Sequence, residues 1–158
     1  MLALVVPAFA QESATVTLRN AAGDDVTTLT LSDAGNGILV TGTLTELPVG
    51  PHAIHFHEVG KCEPPFESAG GHFNPTAKLH GILNEAGHHV GDMPNVVMPE
   101  EGEGTIQIFS DGVTLAAGST GSLRDEDGTA VVIHDGADDY KTDPSGASGD
   151  RIACGVVE

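Results

Sequence analysis

Residues 51–57, PHAIHFH, place histidines at positions 52, 55 and 57 of a segment whose other residues are typical of a β-strand. In a strand, side chains at i and i+2 project from the same face, so His55 and His57 point together while Phe56 points to the opposite, core-facing side. Two imidazoles on one face can hold a single metal ion. Such a pair alone is weak evidence, because exposed strand faces carry histidine pairs by chance. The surrounding sequence has to separate a metal site from an ordinary surface.

Short alternating segments rich in β-branched residues run along the chain on both sides of this stretch. Alternation of apolar and polar residues with period two predicts strands, and no segment carries a convincing helical period. The predicted strands are residues 13–20, 25–32, 36–44, 53–57, 95–98, 105–109, 130–134 and 151–157. Eight short strands predict one all-β domain, folded as a sandwich or a barrel.

Two long irregular stretches, residues 58–91 and 135–150, interrupt this pattern. Loops of this length without secondary structure are uncommon in compact domains unless they serve a function. Seven of the eight histidines lie in or beside the first loop, and the eighth, His134, directly precedes the second. We therefore expect the two loops to meet at one functional site.

The charge of the chain narrows the classes of partner. Six basic and 23 acidic residues give a formal net charge of −17. Nucleic acids and anionic membrane surfaces are bound through basic patches, so neither is an expected partner. The acidic surface by itself indicates solubility, and a halophilic surface would have the same composition.

The N-terminal residues 1–10, MLALVVPAFA, form an uncharged apolar run that ends in Ala-Phe-Ala. A small-residue A-x-A end is typical of a signal-peptide cleavage site, and the run is too short to span a bilayer. We expect residues 1–10 to be the remnant of a truncated signal peptide and residues 11–158 to be the domain; a buried N-terminal strand is the alternative. In an exported chain, Cys62 and Cys154 would pair as a disulfide, although two unrelated buried thiols also fit.

The first loop adds further candidate metal ligands with the spacing H-x7-H-x8-H-x2-D: His72, His80, His89 and Asp92. Three imidazoles and one carboxylate form a tetrahedral set suited to zinc. His134 ends a strand from which it can reach His55 and His57, and an all-imidazole set favours copper. Any single histidine is more simply a solvated side chain, but six together with an aspartate predict a metal centre.

Six segments, taken in order, resemble the signature motifs of the Cu,Zn superoxide dismutases: HFHEVG, SAGGHFNP, KLHG, HVGDMPN, VVIHDGADD and DRIACGVV. The resemblance covers residues from about 14 to 157. It implies an eight-stranded Greek-key β-barrel whose two long loops form the site. It also implies an antioxidant oxidoreductase that disproportionates superoxide to oxygen and hydrogen peroxide with a catalytic copper and a structural zinc.

The same motifs imply the ligands of each ion, residue by residue. The copper ligands would be His55, His57, His72 and His134. The zinc ligands would be His72, His80, His89 and Asp92. His72 would thus bridge both ions and take part in catalysis. His88, which directly precedes the zinc-ligand candidate His89, would be a surface residue.

Other matched positions support this site. Arg151 matches an arginine that points at the open copper position, where its positive fork suits a small anion. Cys62 and Cys154 match the family disulfide, which ties the first loop to the last strand.

The resemblance also assigns two supporting side chains around the ligands. Asp138 would accept hydrogen bonds from ligand rings on the His57 side and on the zinc side, with Asp139 as the competing choice. His52 would bond to the backbone beside the copper strand and would not be a ligand.

The implied setting is an exported protein, periplasmic or secreted, whose partner is its superoxide substrate and for which a homodimer is one expected assembly. Cys62 lies five residues after His57, as in exported bacterial members, whereas the zinc-ligand spacing resembles the eukaryotic pattern. The second loop is short and carries one lysine, Lys141. The rival functions are a copper carrier of the same fold, which would lack part of the copper set, and a purely structural β-sandwich.

Overall fold

A computed structural model describes residues 12–158, so the expected signal-peptide remnant, residues 1–10, lies outside the described residues. The strands are β1 (Ser13–Asn20), β2 (Asp25–Asp33), β3 (Gly37–Leu44), β4 (Gly50–His52), β5 (Ile54–His57), β6 (Val96–Met98), β7 (Gly104–Asp111), β8 (Ala130–His134) and β9 (Arg151–Val156). The first loop contains one 3₁₀ turn, Glu67–Ala69, and residues 12–158 form no α-helix. Within the same range, no helix has the length and apolar character needed to cross a membrane.

The prediction of an all-β domain is confirmed, and all eight predicted strands are present within a few residues of their expected bounds. The ninth strand, β4, precedes β5 and was not predicted, because Gly50 and Pro51 are poor strand formers. At Ala53 the chain changes neighbours: β4 pairs with β6, whereas β5 pairs with β8. The predicted strand at residues 53–57 is thus the second part of a longer strand that is interrupted at Ala53.

The strands form a seven-stranded sheet in the order β5-β8-β9-β1-β2-β3-β7 and a two-stranded sheet of β4 and β6. All strand pairs are antiparallel. The large sheet curls, β4 continues into β5, and β6 packs beside β7. The small sheet therefore spans the gap between the two edges of the large one, which is the barrel architecture expected from the sequence.

The main core fills the inside of this barrel with alternate residues of its strands. Val16 and Leu18 of β1 and Ile54 and Phe56 of β5 are fully buried in it. Each aliphatic side chain of this size stabilises the fold by roughly 1.5–3 kcal/mol when fully buried. The period-two alternation seen in the sequence is therefore the alternation between core and outer face.

A second, smaller core lies on the outer face of β8 and β9, under the first loop. Its members are Phe66, Ala69, Ala130, Val132 and Cys154, with Cys62 packed against them. Cys62 and Cys154 form a disulfide with a Cα–Cα distance of 5.6 Å, as predicted. The first loop also covers the free edge of β5, where Phe56 N donates to Gly91 O at 3.0 Å and Phe56 O accepts from Phe73 N at 2.8 Å. The loop is therefore fixed to the barrel at both places.

Candidate metal centre

β5 directs two of the predicted copper ligands to the outer face of the barrel. His55 lies opposite Val132 of β8 and His57 lies opposite Ala130, while Phe56 between them is buried in the main core. Both imidazoles are fully buried, because the two long loops cover this face. The burial of Phe56 thus fixes the direction of both histidines.

His134 joins them from the end of β8. The pairing of β8 with β9 shifts register between Ile133 and His134, and such a bulge redirects the side chain at that point. The His134 ring lies 5.2 Å from the His55 ring and 5.8 Å from the His57 ring, centroid to centroid. Two strands and one irregularity therefore bring three distant sequence positions together.

His72 completes the group from the first loop, where its backbone forms an isolated bridge with His57. Its ring centroid lies 3.9 Å from that of His55 and 5.0 Å from that of His57. One nitrogen from each of the four histidines can be chosen so that all four lie within 4.8 Å of one another.

The unpaired nitrogens of this group face one another. Four buried ring nitrogens have no hydrogen-bond partner: His55 Nδ1, His57 Nε2, His72 Nε2 and His134 Nε2. The other nitrogen of each ring is bonded to an oxygen, from Asp138 at 2.8 Å, Gly70 at 3.0 Å, Asp92 at 2.8 Å and Gly149 at 3.2 Å respectively. Buried unpaired nitrogens are costly, whereas an ion that accepts four imidazole ligands would use all of them. The residues present therefore fit copper.

Burial keeps these imidazoles neutral. It lowers the pKa of His55 to about 3 and that of His134 to about 4. It also lowers the pKa of His57 well below the usual range. A metal ligand must be the neutral imidazole, so at neutral pH no proton competes strongly for these nitrogens.

The predicted zinc ligands form an adjoining buried group. The Nδ1 atoms of His72, His80 and His89 lie 2.8, 3.0 and 3.4 Å from Asp92 Oδ1. The second carboxylate oxygen of Asp92 accepts hydrogen bonds from the backbone amides of Gly81 at 2.9 Å and His89 at 3.2 Å. Three imidazole nitrogens facing one carboxylate oxygen match the donor set of a closed zinc site.

Charge balance in this group depends on Asp92 and His80. Burial raises the pKa of Asp92, but hydrogen bonds from His72, His80 and the backbone amide of Gly81, with the His89 ring nearby, outweigh it and hold the pKa well below its usual range. Burial lowers the pKa of His80, but the hydrogen bonds that its ring donates to Asp138 and Asp92 raise the pKa to about 9. A cation bound by this group would neutralise the buried Asp92 carboxylate.

Asp138 connects the two ligand groups. Its carboxylate is buried and accepts from His55 Nε2 at 2.8 Å and from His80 Nε2 at 2.9 Å. The expectation that its copper-side partner lies on the His57 side is wrong, because His57 Nδ1 is bonded to Gly70 O. Asp139 is exposed and instead accepts from the backbone amides of its own loop.

Arg151 lies half-buried at the start of β9, beside the copper group. Its guanidinium donates to Phe66 O and to Gly70 O, both at 2.7 Å. Gly70 O therefore receives hydrogen bonds from both Arg151 and His57. Arg151 also lines a cleft of about 700 Å³ together with the acidic residues Glu67 and Asp150, and the lining of this cleft includes none of the copper-group histidines.

The remaining two histidines lie outside both ligand groups. His52 is buried, with Nδ1 2.9 Å from His134 O and Nε2 2.7 Å from Pro48 O. This is the backbone-bonded position expected for it. His88 is half-buried, and its Nδ1 lies 2.6 Å from His89 O.

Sequence reasoning missed two residues that hold Asp138. Asn95 makes two hydrogen bonds of 2.9 Å to the backbone of Asp138, one to its amide and one to its carbonyl. Gly146 has a φ of +66°, and a Cβ at this position would overlap Asp138 Oδ1. A loop asparagine and a loop glycine carry no spacing signal, so only the three-dimensional arrangement identifies them.

Comparison with known proteins agrees with this geometry. The family model described as copper/zinc superoxide dismutase (SODC) matches residues 25–157. Superoxide dismutase (Cu-Zn) 1 of Aquifex aeolicus is 48% identical over 141 residues, 88% of this chain and 83% of that protein. The crystal structure of a SOD-like protein from Bacillus subtilis has a TM-score of 0.87 at 39% identity, covering 94% of this chain and 100% of that one. The Cu/Zn superoxide dismutase from Brucella abortus has a TM-score of 0.75 at 28% identity, with 93% and 100% covered.

Proposed function

Because the chain belongs to the copper/zinc superoxide dismutase family, we propose that the buried histidines hold the metals with which it disproportionates superoxide. The chain is an oxidoreductase whose family uses copper and zinc as cofactors. In the reaction, two superoxide anions and two protons give one oxygen and one hydrogen peroxide. We assign copper to His55, His57, His72 and His134, and zinc to His72, His80, His89 and Asp92.

One observation carries the copper assignment: the four converging nitrogens that lack a hydrogen-bond partner. Each belongs to a ring whose other nitrogen is held by an oxygen, which sets the ring's orientation and leaves the lone pair facing the centre of the group. When bound, copper supplies one-electron redox chemistry, oxidising one superoxide and reducing the next, while zinc is redox-inactive.

The roles of the protein groups follow from their positions. His72 offers Nδ1 to the Asp92 side and Nε2 to the other three histidines. His72 would thus be able to hold a proton on Nε2, next to the other three histidines, while Nδ1 keeps the ring in place. Asp138 orients His55 and His80 together, so one carboxylate supports both ligand groups.

Arg151 would bind the anionic substrate. Its guanidinium is held by two carbonyl oxygens of the disulfide-linked loop, and one of these, Gly70 O, also accepts from the proposed copper ligand His57. The net charge of −17 opposes a negative substrate at long range. The screening length is about 8 Å at physiological salt, so a nearby cation outweighs distant carboxylates. We therefore propose that attraction of superoxide is local.

Metal stoichiometry and superoxide disproportionation, measured together before and after chelation and again after metal is restored, test this function. We expect copper and zinc in equal amounts and an activity that is lost and regained with copper. His134→Ala should bind less copper, whereas His88→Ala, at a histidine outside both groups, should retain copper and activity. Copper binding without activity would favour a carrier, and absence of both metals would favour a structural domain.

We further propose that the protein is exported to the periplasm or secreted. The Cys62–Cys154 disulfide is the support for this, because such bonds persist in oxidising compartments. The apolar run at residues 1–10 would be the removed signal. Mass spectrometry of the protein recovered outside the cytoplasm should find a chain beginning at Gln11, and a cytoplasmic chain retaining residues 1–10 would contradict export.

The expected homodimer remains a proposal, and exposed apolar side chains on β3, β6 and β7 support it. Leu39 lies opposite Phe109 in the β3–β7 register, and Val97 is on the neighbouring β6. A second copy covering this face would remove them from water. Light scattering should then give the mass of a dimer, with a shift toward monomer for Phe109→Ser; a monomeric wild type would exclude the assembly.

A further inference from the structure

Tyr140, the only tyrosine of the chain, lies in the second loop two residues after Asp138. Its hydroxyl oxygen accepts a hydrogen bond of 2.9 Å from the backbone amide of Asn95. Asn95 belongs to the segment that follows the zinc-ligand candidate Asp92. A hydroxyl of the second loop is therefore bonded to the end of the first.

Tyr140 contacts three further residues that lie beside the zinc ligands His80 and Asp92. Its backbone amide donates to Asp138 Oδ1 at 2.6 Å, the same oxygen that accepts from His80 Nε2. Its carbonyl accepts from the backbone amide of Leu83 at 3.1 Å. The carbonyl also lies so close to Gly81 that a Cβ there would overlap it. The residue thus contacts both sides of the zinc group.

The backbone of Tyr140 has a φ of +65°, a left-handed conformation that bulky residues rarely adopt. Such conformations persist when the surrounding contacts hold them, and they concentrate at functional sites. The contacts that hold this one are the bonds to Asn95, Asp138 and Leu83.

A closed ring of hydrogen bonds results. Tyr140 holds the backbone of Asn95, the Asn95 side chain holds the backbone of Asp138, and the Asp138 carboxylate accepts from Tyr140 N, His55 and His80. We propose that Tyr140 is a positioning residue that sets the Asp138 carboxylate, and through it the zinc ligand His80, by way of Asn95. This inference rests on the zinc assignment made above.

The rate of zinc release to a chelator at neutral pH tests this role without measuring enzyme activity. Tyr140→Phe removes only the hydroxyl, and loss of one supporting hydrogen bond outside the ligand set should speed zinc release about three- to tenfold. Thr142→Val is the matched control, because its hydroxyl donates to Asp139 in the same loop and does not reach Asn95 or Asp138. The control should release zinc within about twofold of the wild-type rate.

A double substitution separates positioning from general stability. If Tyr140 acts through Asn95, then Tyr140→Phe should change zinc release by less than about twofold in an Asn95→Ala background, since neighbours in one network are non-additive. The spectrum of Co²⁺ at the zinc site should change in Tyr140→Phe but not in Thr142→Val. Unchanged zinc release and spectrum in Tyr140→Phe, or additive effects with Asn95→Ala, would overturn the role of Tyr140. A wild-type chain that binds no zinc would overturn the zinc assignment as well.

Discussion

Arg151→Ala should lower the rate of superoxide disproportionation about tenfold at physiological salt. Arg151 and His57 donate to the same Gly70 oxygen at 2.7 and 3.0 Å, so the guanidinium lies within about 6 Å of a proposed copper ligand, inside the screening length of about 8 Å. For an anion held at a comparable distance of about 6 Å, a unit charge contributes an attraction of about 0.7 kcal/mol in water and about 3 kcal/mol at an effective dielectric of about 20. The half-buried guanidinium lies between these limits, which span about three- to a hundredfold in rate.

Pulse radiolysis measures this directly, because it follows superoxide decay at defined ionic strength with enzyme of matched copper content. The ratio of wild-type to Arg151→Ala rates should change less than about threefold between 10 and 150 mM salt, since a charge this close is weakly screened. Arg151→Lys should fall between the two, because it keeps the charge but loses the fork that binds Phe66 O and Gly70 O.

A double neutralisation of Glu100 and Glu101 to glutamine is the control, since both lie on the exposed loop between β6 and β7. At physiological salt it should leave the rate unchanged within about a fifth. Equal rates for wild type and Arg151→Ala would refute the role of the arginine. A ratio that collapses as salt is added would show that the arginine contributes to a long-range field and that attraction is not local.

Three further outcomes are expected. Replacing Cys62 and Cys154 by serine opens a loop of 92 residues and should destabilise the protein by about 2–5 kcal/mol in urea unfolding; an unchanged midpoint would contradict this. Gly146→Ala should lower the zinc content, because the added Cβ would displace Asp138. Gly102→Ala is the control, since Gly102 has a similar φ and open space around it, and it should not change the zinc content. Equal zinc content in the two variants would refute the contact. The metal-free protein should lose stability, on the order of 2–3 kcal/mol, from pH 7.5 to pH 5. The folded pKa values of His55 and His134, about 3 and about 4, lie below the unfolded value, so the unfolded chain binds more protons there and each histidine costs roughly 2 kcal/mol; His80, whose folded pKa is about 9, offsets roughly 1 kcal/mol of this. Constant stability in unfolding titrations would contradict it.

The period-two alternation of side chains along the strands allowed most of the fold, and the positions of the strand ligands, to be predicted from the sequence. An i, i+2 pair in a strand must share a face, so His55 and His57 follow from the sequence once Phe56 is recognised as a core residue. The zinc group was predictable because its members lie in one loop with a recognisable spacing, and its link to copper came from resemblance to a family. The pairing of Cys62 with Cys154 also came from that resemblance.

The remaining features depend on contacts between segments far apart in sequence. The start of β4 is set by its pairing with β6, which overrides the weak strand propensity of Gly50 and Pro51. On the copper side, Asp138 accepts a hydrogen bond from His55 and not from His57, because His57 Nδ1 is hydrogen-bonded to Gly70 O. Local sequence patterns do not specify which loop atom forms a hydrogen bond with a given ring nitrogen. The start of β4 and the partner of Asp138 were therefore not predictable from the sequence.

The smaller core under the first loop gives the metal site a different stability from that of the barrel. The copper group lies between the outer face of β5 and β8 and the first loop, whose near part is held by Phe66, Ala69 and one disulfide and whose far part is bonded to the edge of β5. Regions with few buried contacts open at lower free energy than the global transition. We therefore expect the part of the loop around this small core to open before the seven-stranded sheet unfolds, so that loss of the metals would precede loss of the fold. The temperature at which the enzyme loses its metals would then be lower than the temperature at which the barrel unfolds.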